Sequence, residues 1–265
     1  MPSATCDRAA HKAFWQEQAT RLGSFRDAPS TDYYLEGELR IIGRHVRPLA
    51  GTRLLKLDLW NEVRNTNVLA ELARRGAETF AVDLARPLVL RAAGQFRDAG
   101  LAPRFVVADV RELPFAGGSF DAVYTMGTIE HVPEMQACVD EIFRVTRPGG
   151  VAIVGVPNRH DPFLRPALVA ALDRCGLYPY GLEQSLTHRD LAQLLARSGF
   201  EIVGTEGLLF MPGLLRMAEL ALLEPLPTIS RLLGELHRPF RAACRRWPGL
   251  NRHGYLIAAV GRRPT

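Results

Sequence analysis

Residues 103–158 read PRFVVADVRELPFAGGSFDAVYTMGTIEHVPEMQACVDEIFRVTRPGGVAIVGVPN, and their alternation decides the fold. Phe105–Ala108 is a β-branched and aromatic run closed by Asp109, and Phe120–Thr125 is a second apolar run opened by a Gly-Gly-Ser turn. A helical period over 134–146, a Pro-Gly-Gly turn and a third apolar run over 150–156 complete the unit. Strands alternating with helices through short connections imply a parallel sheet with right-handed crossovers. Ligands of such sheets bind beyond the carboxyl ends of the strands, where the strand order reverses. Asp109 stands at one of those ends and is placed to touch what binds there.

The same period recurs on either side. Residues 53–59 read as a first strand, 63–75 as a helix stopped by Gly76, and 78–83 as a second strand ending in Asp83. Pro87 falls in the first turn of the next helix, where proline is tolerated, and Gly100 closes it. Residues 11–47 are helix-like, with Phe14, Trp15 and Leu22 followed by helically spaced apolar positions from Tyr33 to Val46. Pro29 and Ser30 split this stretch in two, with Ser30 or Thr31 as the N-cap of the second helix. Downstream, Thr187 caps a helix running to Ser198, Gly199 stops it, and Phe200–Val203 forms a strand; 254–260 is the last strand. Between those two strands, residues 211–250 carry five prolines and two apolar helices studded with arginine. The expected organisation is an N-terminal helical segment (1–50), an α/β core (51–210), a helical insertion acting as a lid (211–250), and a last core strand (251–265).

Composition narrows the function. The 265 residues, 47% of them hydrophobic, suffice for one sizeable α/β core with a cap. Apolar runs such as Leu220–Leu223 are broken well short of the ~20 residues a membrane span needs, and Met1–Ala10 has no apolar signal region, so a cytoplasmic location is expected. Cysteines at 6, 138, 175 and 244 show no CxxC spacing, which points to small buried side chains and to neither a metal site nor a disulfide framework. The net charge of +5 is mild, and the basic residues from Arg231 to Arg252 alternate with apolar ones, against a nucleic-acid partner.

Together, Asp83 and Asp109-Val110 at strand ends, SFDAVYTMGTIEHV at 119–132, RVTRPGG at 144–150 and YGLEQSLTHRDLAQLLARSGFEIV at 180–203 resemble class I S-adenosylmethionine (SAM) dependent methyltransferases, in particular those of ubiquinone and menaquinone biosynthesis. The resemblance runs from about residue 50 to the end. It implies a Rossmann-like α/β fold: a seven-stranded, mostly parallel sheet in the order 3-2-1-4-5-7-6 with the last strand antiparallel, helices on both faces and a helical cap. It also implies that Asp83 accepts hydrogen bonds from both ribose hydroxyls, as a carboxylate can, and that Asp109 meets the adenine amino group. Leu84, Val110, Met126 and Gly127, beside the same strand ends, belong to the implied cofactor set. Glu130 and His131 lie just past the fourth strand, where a methyl group would be transferred, and His131 is the candidate general base.

One motif departs from the family. Where members carry an acidic residue and a glycine-rich turn, whose bare backbone approaches the cofactor's methionine part, this chain reads LLKLDLWNEVRNTNVLAEL at 54–72, without glycine. Either Lys56 or Asp58 takes the acid's place, and Asp58 fits the flanking residues better. The two share a strand face and are expected to pair. Three readings follow: a methyltransferase with a reshaped loop in which Asn61, Asn65 or Asn67 replace backbone contacts; an enzyme using the sulfonium for another outcome such as cyclisation; or a partner subunit without SAM. A nicotinamide dehydrogenase is disfavoured, since G-x-G-x-x-G is also missing. Tyr33, Tyr34, Tyr180 and Phe210 are the expected acceptor contacts, under a cap that closes over a small, largely apolar molecule and sets its identity. A buried lid is preferred to a membrane-surface role for the insertion, because 214–223 lacks a strongly polar opposite face.

Overall fold

The computed structural model describes residues 8–21, 23–102 and 104–265, and builds one sheet from β1 (Arg53–Lys56), β2 (Glu78–Asp83), β3 (Arg104–Val107), β4 (Phe120–Met126), β5 (Thr146–Pro157), β6 (Glu201–Leu208) and β7 (Leu256–Arg262). Their order is β3-β2-β1-β4-β5-β7-β6. The pairs from β3 to β5 are parallel, and β7 runs antiparallel to both neighbours. This is the expected topology. Alternation along the strands sends Leu54, Tyr124 and Ile153 into one apolar cluster and Leu55, Val123 and Val154 into the other, so helices cover both faces.

The helices in chain order are α1 (Arg8–Arg21), α2 (Pro29–His45), α3 (Trp60–Arg64), α4 (Val68–Arg74), α5 (Arg86–Asp98), α6 (Met135–Val145), α7 (Arg165–Arg174), α8 (His188–Arg197), α9 (Gly213–Leu222), α10 (Pro227–Glu235) and α11 (Arg238–Arg246). Thr187 caps α8 in a full capping box with Asp190. Several boundaries differ from the expectation, each for a local reason. Proline occupies the first turn of α2, so Ala28 holds the N-cap position, while Ser30 and Thr31 lie inside the helix and bond to other segments. Strand β1 stops at Lys56, and the helix expected over 63–75 is two helices separated at Asn67, whose φ of 51° is left-handed. The insertion holds three helices rather than two, because Pro227 and Pro239 each start a new one. Helix α7 was not anticipated. Cys138 and Cys244 are buried as expected, but Cys175 is exposed; Cys6 and Leu22 lie outside the described residues. Among the described residues no helix is long and apolar enough to cross a membrane.

The insertion is fastened chiefly to α2. Glu219 accepts the Ser30 N–H at 3.0 Å, Glu36 pairs with Arg241 and Arg245 at 2.6 and 3.0 Å, and Tyr33 donates to Cys244 Sγ at 3.3 Å. The outer side of α10 leaves Ile229, Leu232 and the following Leu236 exposed.

Candidate functional site

A cavity of about 210 Å³ opens beyond the carboxyl ends of β1, β2 and β4. Asp58, Asp83 and Asp109, which follow or end three neighbouring strands, all reach its wall. Asp83 accepts the Leu59 N–H at 2.8 Å and the Ala85 N–H at 2.7 Å, one on each oxygen, so one acceptor position remains on each. Burial is the main influence on this carboxyl and pushes it up to about 7, against the two backbone bonds. Asp109 is held differently. Burial works against its charge, but Arg111 bonds both its oxygens, the shortest contact being 2.6 Å, and brings it below the usual carboxylate range. Arg111 in turn reaches Glu134 at 2.9 Å.

Beneath the β1 end lies a buried charged cluster. Lys56, wholly buried, places Nζ 2.7 Å from Asp58 Oδ2 and 3.6 Å from Glu62 Oε1. Burial alone would strip its proton, but the carboxylates of Asp58, Glu62 and Glu38 prevail and raise its pKa. Thr128 Oγ1 donates to Asp58 Oδ2 at 3.2 Å, and the Asn61 N–H faces Asp58 Oδ1 at 3.5 Å. Lys56 itself is not part of the cavity wall, whereas Asp58, Asn61 and Asn65 are.

At the β4 end the chain must turn sharply. Gly127 does so with φ +82°, a left-handed conformation that a side chain would strain. A short 3-10 helix, Ile129–His131, then delivers Glu130 and His131 to the cavity. His131 Nδ1 lies 2.6 Å from the carbonyl oxygen of Leu182. A carbonyl only accepts, so Nδ1 carries the hydrogen and Nε2 keeps its lone pair. Burial lowers the His131 pKa, which leaves the ring neutral near pH 7. Glu130 is buried, its Oε2 has no hydrogen-bond partner, and burial together with the charge of Glu183 pushes its pKa well above the usual range.

The opposite wall is aromatic. Trp15 meets the His131 ring edge-on at 5.0 Å between centroids, and Trp60 meets Tyr180 at 5.9 Å. Arg165 grips Glu183 with both nitrogens, one contact being 2.8 Å, and lies 4.3 Å over the Tyr255 ring.

A family model described as a methyltransferase domain matches residues 43–154. A ubiquinone biosynthesis O-methyltransferase of Rhizobium etli is 27% identical over 72% of this chain and 75% of its own length. Another of that name, from Xanthomonas axonopodis pv. citri, is 31% identical over 53% of this chain and 61% of its own. Among solved structures the [4+2]-cyclase SpnF has a similar fold, with a TM-score of 0.59 at 20% identity over 86% of this chain and 81% of that one. The methyltransferase likeness is thus carried by residues 43–154 and by relatives of modest identity, and the fold is one that SAM-dependent methyltransferases share.

The cavity gathers most of the residues anticipated from sequence: Asp58, Asn61, Asp83, Leu84, Asp109, Val110, Met126, Gly127, Glu130, His131, Tyr34 and Tyr180 all line it. Tyr33 and Phe210 lie elsewhere, neither being part of the cavity wall. Tyr33 stacks on His237 at 5.6 Å beneath the insertion, and Phe210 packs against Phe163 at 5.3 Å. Asn67 spends itself on the left-handed start of α4. Trp60, Arg165, Glu183 and Arg216 also line the cavity and were not anticipated. The only trace the last three leave in sequence is an isolated charge within an otherwise apolar or aromatic stretch.

Proposed function

We propose that the chain binds SAM and transfers its methyl group to a hydroxyl of a small, largely apolar acceptor. The observation that carries this reading is the convergence of Asp58, Asp83 and Asp109 on one cavity that continues, past the end of β4, into an aromatic wall. The residues present fit the cofactor. Asp83 keeps a free acceptor position on each oxygen for a pair of ribose hydroxyls, and Asp58 offers an anion to an ammonium group. When bound, SAM supplies an activated methyl group.

The side chains do the rest. Trp15, Tyr178, Tyr180 and Tyr255 form an apolar wall that orients the acceptor and excludes water, and orientation is the larger part of such a displacement. His131, neutral with Nε2 bare, takes the hydroxyl proton. Glu130, with Oε1 3.8 Å from Nε2 and its pKa pushed well above the usual carboxylate range by burial, adds no negative charge beside the donor sulfur. Oxygen as the acceptor atom is supported by the names of the relatives, O-methyltransferases. The likeness to the cyclase concerns the fold and gives no separate support to cyclisation.

Calorimetry with S-adenosylhomocysteine (SAH) tests the reading. Wild-type protein should bind it, and Asp83→Ala should lose about 1.5–3 kcal/mol, the usual worth of a charged hydrogen-bond acceptor. Equal affinity in the two proteins would overturn the assignment of Asp83.

A further inference from the structure

Arg216 is the one cavity-lining residue of the insertion that carries a charge, and its surroundings are unusual for a cation. It projects from α9, is 4% exposed, and lies 5.4 Å over the ring of Tyr34. Its guanidinium donates to Ser30 Oγ at the start of α2 and, at 3.2 Å, to Asn65 Oδ1 just past α3. Both acceptors are neutral, and no ion pair joins it to a carboxylate among the described residues. A buried, unpaired cation is costly unless something negative joins it.

What is missing can be read from the row of groups beside it. Asn65 Nδ2 donates to Asn61 Oδ1 at 3.0 Å, and the Asn61 N–H faces Asp58 Oδ1. The cavity wall therefore runs guanidinium, amide, amide, carboxylate. The complement of that row is a ligand group with a carboxylate and an ammonium side by side, which is an α-amino acid head. The row also lies at the end of β1, where the glycine-rich turn of the family would bring bare backbone to the cofactor's methionine part.

We propose that Arg216 binds the α-carboxylate of SAM while Asp58 takes its α-ammonium, so that a side chain from the lid does the work of the lost glycine turn. The proposal rests on SAM being the cofactor. It changes the role expected for the insertion, which then helps build the cofactor site and does not serve the acceptor alone. A planar guanidinium suits a carboxylate because two parallel N–H groups meet its two oxygens.

Three adenosine probes separate the possibilities: SAH, its decarboxylated form, which keeps the ammonium, and 5′-methylthioadenosine, which lacks the amino-acid head. Calorimetry with each is run on wild type, Arg216→Gln and Arg216→Lys, with circular-dichroism melts to confirm folding. Wild type should prefer SAH to the decarboxylated form by about tenfold or more, as a charge-assisted pair provides. Arg216→Gln should lose that preference, weakening SAH alone, and Arg216→Lys should restore part of it. Unchanged SAH affinity in Arg216→Gln would overturn the proposal and assign Arg216 to the acceptor's side. An equal loss for all three probes would overturn it in favour of a scaffold role. Wild-type protein that binds none of the three would sink the SAM reading itself, a result distinct from either.

Discussion

Asp83 is held by two backbone amides yet raised to about 7 by burial, so near neutral pH it is only partly ionised before a ligand arrives. Ribose hydroxyls donating to it favour the charged form, and binding below pH 7 must therefore expel a proton. SAH affinity should consequently fall as pH drops from 8 to 6, approaching about tenfold per unit below 7, while Asp83→Asn should bind weakly with a flat profile. A wild-type profile as flat as the variant's would refute the account. Lys56 presents the opposite case, a cation surrounded by carboxylates. Lys56→Met leaves Asp58 and Glu62 buried without their counter-charge, which typically costs about 3–5 kcal/mol. Denaturant unfolding should register that loss; a variant as stable as wild type would mean that the carboxyls simply take up protons. His131 has a pKa below its ordinary value, so methyl transfer should lose rate only on an acid limb below pH 6.5, and His131→Ala should abolish that limb.

Among the elements, the reshaped first turn is the one with most consequence. With no glycine after β1, the backbone cannot swing close to a ligand, and the chain enters α3 at once, with Leu59 bonded to Asp83. The helix that follows breaks at Asn65-Thr66-Asn67, which turns the amides of Asn61 and Asn65 toward the cavity, and Asn67 tolerates the left-handed conformation that the break requires. The capping box of α8 is a simpler device. Thr187 Oγ1 accepts the Asp190 N–H at 3.1 Å, and Asp190 reaches back to the Thr187 N–H. Thr187→Ala should cost about 1 kcal/mol, read as a lower melting temperature with SAH affinity unchanged. A loss of affinity in that variant would show that α8 is coupled to the site.

Over the whole molecule, a sheet buried on both faces carries a helical insertion attached mainly to α2. Leu55, Val123 and Ile257 are fully buried, whereas Leu214, Leu232 and Leu236 of the insertion remain more than half exposed. Amide hydrogens of β4, β5 and β7 should therefore exchange far more slowly than those of α9 to α11, with SAH slowing α9 in particular. Mass-spectrometric exchange with and without ligand checks both, and an α9 indifferent to SAH would argue against a lid that contacts the cofactor. The strand ends at Asp83 and Asp109 and the Thr187 cap were legible in the sequence, because they depend on period, punctuation and charge within a few residues; the sheet order followed from the family resemblance. The Lys56–Asp58 pair was legible for the same reason, being two positions apart. Glu62 beside Lys56, Arg165 on Glu183, the burial of Tyr33 under the lid and the approach of Arg216 to Asn65, 151 residues away, were not. Glu62 reaches Lys56 only because the chain turns from β1 into α3, and contacts between segments farther apart in sequence leave no local period. Only the packing of α9 against α2 and the end of β1 brings a solitary arginine to the place where a negative charge is wanting.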